Sequence, residues 1–142
     1  MKYFTIKEFT FSDKAKQLHI DNTPPQEIVE HITEFVDCIL DRIREEWGSA
    51  LIISSGYRCD ALNKAVGGAN TSGHKFGWCA DLQPKNGKIK EFAEFVKNWL
   101  IRNYIPWDEL IFEKSGKTTW VHFAWKGMGG RQRMKTFSLV VK

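Results

Sequence analysis

Between residues 25 and 47 the apolar side chains Ile28, Val29, Ile32, Phe35, Val36, Ile39, Leu40 and Ile43 recur three and four positions apart. That period gathers them on one stripe and predicts an amphipathic α-helix. Thr23 ahead of Pro24-Pro25 supplies a cap and a prolyl first turn, and Gly48 supplies the stop. A second helix is predicted over 87–102, with Ile89, Phe92, Ala93, Val96, Trp99 and Leu100 turned inward. Short strand-like runs fall at 51–55, ending on Gly56, and at 78–82. Two more, at 109–113 and 119–125, flank Lys114-Ser115-Gly116-Lys117-Thr118 and predict a hairpin. Residues 60–65 suit a short helix before the Gly67-Gly68 turn, and 136–141 a last strand. Helices and strands do not alternate regularly. The expected fold is therefore α+β, with a mainly antiparallel sheet and helices packed on one side.

The length of 142 residues suits one domain spanning 1–142, large enough to bury a core without disulfide staples. Its three cysteines, Cys38, Cys59 and Cys79, are odd in number and lack C-x-x-C spacing. This argues against a disulfide framework and against a four-thiolate zinc site. The net charge of +4 fits an anionic partner only weakly, because the basic residues are scattered. The one basic run, Arg131-Gln132-Arg133-Met134-Lys135, comes with no base-stacking or groove-reading motif, so nucleic acid is not expected as a partner. The first residues lack the apolar core of a signal peptide, and no stretch reaches the length of a membrane span. The expectation is a chain made in the cytoplasm, without membrane insertion.

His74, Asp81 and His122 are the residues whose surroundings suggest chemistry. His74 closes the polar run Ser72-Gly73-His74-Lys75-Phe76-Gly77 and leads straight into the strand carrying Asp81. His122 lies within Trp120-Val121-His122-Phe123, so its strand face also carries Trp120 and Ala124. A half-buried core histidine would look the same, and a lone loop histidine is usually a surface residue. His19 and His31 are read as surface residues. Together, however, two imidazoles and one carboxylate match the three nitrogen and oxygen ligands of a catalytic zinc, which leaves a place for water. Such a site keeps one net positive charge to acidify water and polarise a carbonyl.

The ordered blocks Ser55-Gly56-Tyr57-Arg58, Leu62-Asn63-Lys64-Ala65-Val66-Gly67-Gly68, Ser72 through Asp81, and Trp120-Val121-His122 extend this pattern. They resemble the zinc D-Ala-D-Ala carboxypeptidase family, whose relatives include phage peptidoglycan endopeptidases and, by fold, the hedgehog signalling domain. The family pattern S-x-H-x-x-G-x-A-x-D falls on Ser72, His74, Gly77, Cys79 and Asp81. The opening Phe4-Thr5-Ile6-Lys7-Glu8-Phe9 and the run from Ile20 to Pro25 look like its compact, often prophage-encoded branch.

The resemblance implies Zn2+ on His74, Asp81 and His122. It also implies Arg58 beside the carbonyl oxygen of a bound substrate, and peptide bonds of the peptidoglycan stem or cross-link, next to a D-amino acid, as targets. The protein would then reach the wall by export or lysis-type release. Ser72 is open between contacting a substrate carboxylate and shaping its loop. Arg58 has a plainer alternative as a surface cation paired with Asp60.

The chain departs from the family pattern at two positions. Cys79 replaces a usual alanine; it is expected to pack, since as a fourth ligand it would close the site. Thr119 stands where better-studied members carry an acid three residues before the last histidine, and it has no useful basicity. Glu113 is the nearest replacement as general base. An even-length hairpin loop would pair Glu113 with Trp120 and put it on the face of His122; an odd one would turn it away. The plainer alternative is an exposed glutamate beside Lys114, with Asp108 and Glu109 next in line as base. Thr119 also leaves room for a non-catalytic, zinc-containing wall-binding or signalling module on the same fold.

Overall fold

The computed structural model describes residues 1–140. Two short helices open the chain: α1 (Ile6–Thr10), whose cap Thr5 accepts from the amide of Glu8, and α2 (Asp13–Gln17), whose cap Ser12 accepts from that of Ala15. The long amphipathic stretch follows as α3 (Gln26–Phe35), a π-helical turn (Val36–Leu40) and α4 (Asp41–Trp47). Gly48 ends it in a left-handed conformation that glycine adopts without strain, its amide on Arg44 O. Thr23 does not cap this helix. Pro25 occupies that place without a side-chain bond, and the Thr23 hydroxyl instead donates to Asp21 Oδ1 at 2.6 Å. The π-helical turn falls where Phe35-Val36 and Ile39-Leu40 crowd the apolar stripe, and all four are buried.

Strands β1 (Leu51–Ser55), β2 (Cys79–Pro84), β3 (Glu109–Ser115), β4 (Thr118–Ala124) and β5 (Lys135–Val140) form one sheet in the order β1-β2-β4-β3-β5. All pairs are antiparallel except β3 with β5. The edge strand β5 is exposed along its length. Its expected last residue, Val141, lies outside the described residues. Helices α5 (Asp60–Ala65) and α6 (Ile89–Arg102) complete the α+β domain.

Strand alternation sorts the sheet into two faces. Ala80, Leu82, Leu110, Val121 and Phe123 join Ile32, Phe35, Phe92, Val96 and Trp99 in the core against the long helices. The other face carries Cys79 and Asp81 from β2, His122 and Ala124 from β4, and Glu109, Ile111 and Glu113 from β3. The register makes this explicit: Asp81 and Ile111 lie directly opposite His122, and Glu113 lies opposite Trp120. The turn joining β3 to β4 is the two residues Gly116-Lys117, an even number, with Gly116 at φ +59°.

Candidate metal centre

A short 3-10 turn (Gly73–Phe76) carries His74 onto this second face. The Ser72 hydroxyl caps it by accepting from the His74 amide at 3.2 Å. Gly77 ends it at φ +76°, where a Cβ would come within 3.0 Å of Ile32 and 3.1 Å of Ile28. His74 is 1% exposed. Its Nδ1 lies 2.6 Å from the carbonyl of Gly56. A carbonyl can only accept, so Nδ1 carries the proton and Nε2 presents a bare lone pair. That Nε2 is 3.4 Å from Asp81 Oδ1.

Asp81 Oδ1 is also 3.0 Å from Nδ1 of His122. On the far side of the same ring, Nε2 lies 3.2 Å from Glu109 Oε1 and 3.9 Å from Cys79 Sγ. For comparison, donors bonded at zinc's usual lengths around a tetrahedral ion sit about 3.3 Å apart.

Charges in the site are strongly coupled. Burial alone would raise the Asp81 carboxyl, but the two imidazoles beside it hold it well below the carboxylate range. Burial depresses His74 against the pull of Asp81. Burial would also depress His122, yet Asp81, Cys79 and Glu109 together raise it well above an ordinary histidine. The shifts of Asp81 and His122 run in opposite directions and favour the proton on His122 over Asp81. Burial pushes the Cys79 thiol up, which keeps it protonated.

Arg58 does not pair with Asp60, which binds Lys75 at 3.0 Å. Its Nη2 instead donates to Ser72 Oγ at 3.4 Å, and its Nε is buried with no partner among the described residues. Burial lowers its pKa against the opposing fields of Asp81, Cys79 and Glu113. Glu113 is half-buried rather than exposed, on the face of His122, and burial raises its carboxyl. Thr119, opposite Lys114, belongs to the other face, so an acid there would point away from this site. Asp108 is occupied elsewhere: its buried carboxylate is gripped by Arg133 through Nε at 2.9 Å and Nη2 at 2.8 Å.

The family profile described as Peptidase M15 matches residues 2–123. The chain belongs to the peptidase M15 family. No curated protein matches it. M15 peptidases are zinc-dependent, and membership places this chain among metallopeptidases that act on bacterial cell-wall peptides.

In this M15 member the two histidines have two neighbours that could complete a donor set, Asp81 and Cys79. Cys79 forms with the two histidines a group whose donor atoms all lie within 4.8 Å of one another. No helix among the described residues is long and apolar enough to cross a membrane.

Sequence reasoning passed over three contributors. Glu109 entered only as a reserve base, although it bonds His122. Arg133 was one of a basic run. His31, read as a surface residue, donates from Nδ1 to Phe76 O at 2.7 Å and stacks on Trp78 with centroids 4.4 Å apart, which steadies the turn of His74.

Proposed function

We propose that this M15 peptidase hydrolyses a peptide bond next to a D-amino acid in peptidoglycan stem or cross-link peptides. In this reading Zn2+ is held by His74 Nε2, Asp81 Oδ1 and His122 Nδ1. The observation that carries it is Asp81 Oδ1, at 3.4 Å from one of these nitrogens and 3.0 Å from the other. Cys79 is the poorer third donor. It lies on the Nε2 side of His122, the side that bonds Glu109. Its work is packing: a Cβ at Gly73 would fall 2.3 Å from its sulfur.

When bound, zinc acidifies water and polarises the scissile carbonyl. The chain supplies the rest. Glu113, on the His122 face with a carboxyl raised by burial, takes the proton from the attacking water and returns it to the leaving amine. Arg58, its Nε unpartnered, offers a fixed cation to the oxygen that gains charge. Ser72 holds the turn of His74 and orients Arg58.

The test is incubation of the purified protein with defined stem peptides and cross-linked dimers, following amine release by mass spectrometry. Cleavage should stop with chelator and return with zinc. Stoichiometric zinc without cleavage of any wall peptide would favour the non-catalytic, wall-binding alternative.

A further inference from the structure

The two histidines of the proposed zinc site are braced differently. His74 leans on a main-chain carbonyl, that of Gly56, which no side-chain replacement removes. The brace of His122 is a side chain. Its Nε2 meets Glu109 Oε1 at 3.2 Å, on the side of the ring away from Asp81. The same Glu109 oxygen lies 3.6 Å from Arg133 Nη2. Arg133 is in turn fixed on Asp108 by two side-chain bonds and by its own amide at 3.1 Å. Asp108 also draws Lys126 Nζ to 3.5 Å. Arg133 and Lys126 lie beyond Phe123, where the family match ends, on the segment that leads into β5.

Resting on the zinc reading above, we propose that Glu109 is the positioning residue for His122, held by the Asp108–Arg133 clamp. By accepting the Nε2 proton it fixes the tautomer that leaves Nδ1 free for the metal, and it sets the ring plane against Asp81. An acceptor behind a metal-bound imidazole holds its tautomer and ring orientation, and loss of such a partner typically costs 10–100-fold in metal affinity. The clamp explains why a carboxylate can be spared for this task. Arg133 offsets its charge from behind, while Asp108 keeps Arg133 out of the site.

The experiment is zinc affinity by competition with a chromophoric chelator, for wild type, Glu109→Ala, Glu109→Gln and Glu113→Gln, with circular dichroism to confirm folding. Glu109→Ala should bind zinc about 10–100-fold more weakly. Glu109→Gln keeps an oxygen to accept from Nε2 and should stay within a few-fold of wild type in affinity, and it should retain hydrolysis. Glu113→Gln should bind zinc as wild type does. A folded Glu109→Ala with wild-type affinity would overturn the proposal. If Glu109→Ala does not fold, Glu109→Gln decides alone: loss of affinity there would also overturn it, because charge and not the bond geometry would then matter. Full zinc binding with lost hydrolysis in Glu109→Gln would make Glu109 the base and overturn it as well. Because the readout is metal affinity, the expected pattern would stand even were no wall peptide cleaved, so the two readings fail separately.

Discussion

Arg58 keeps a buried Nε without an acceptor among the described residues, a cost of about 1–3 kcal/mol for an ordinary polar group. A substrate oxygen would relieve it. Arg58→Ala should therefore lower kcat by about 10²-fold or more with zinc content unchanged. Lysine should restore only part of the rate, lacking the planar fork. Wild-type turnover in the alanine variant would leave Arg58 a packing residue. Glu113 gives a pH prediction. Burial raises its carboxyl, and a general base acts only when ionised. As pH falls through that raised pKa the base is protonated and the rate drops, so the acid limb of kcat/KM should lie above the ordinary glutamate range. Glu113→Gln should keep zinc and lose hydrolysis by about 10²–10⁴-fold; stopped assays across pH on both proteins check it.

At the scale of elements, the turn bearing His74 depends on Gly77. Alanine there would take a left-handed conformation costing about 1–2 kcal/mol and would press its Cβ on Ile28 and Ile32. A denaturant midpoint shifted down by at least that energy is expected for Gly77→Ala, and an unchanged midpoint would contradict it. The sequence made the long helix, the hairpin and the strand carrying Asp81 legible because each has a strong local signature. The sequence left the parity of the turn open, and only the register, with Gly116-Lys117 between the strands, puts Glu113 on the face of His122. What escaped was non-local. Glu109 and His122 stand thirteen positions apart and meet only diagonally across the hairpin, a relation that appears once the register is fixed. Helices α1 and α2 are five residues each, too short to show a period. Apolar spacing cannot show that Val36–Leu40 widens into a π-helical turn, nor that β5 runs parallel to β3, since periodicity carries no direction along a partner strand.

For the whole molecule, the metal couples to protons and to stability. With Asp81 ionised, His74 neutral and His122 protonated, zinc uptake near neutral pH should release about one proton. Titration calorimetry in buffers of different ionisation heat would count it, and a count of zero would mean His122 is neutral beforehand. Affinity should fall as pH drops, because protons compete for the same nitrogen. Zinc binds the folded chain, so chelator should lower Tm, and by more at higher initial zinc. Asp81 and His122 belong to β2 and β4, which are flanked on both sides within the sheet, and His74 is tied to the main chain of Gly56. Donors anchored this way hold their places whether or not a cation bridges them. The consequence is one of time: a stripped enzyme need not refold to recover. Reloading in a stopped-flow mixer should be first order in zinc and finish long before any unfolded chain could regain its sheet.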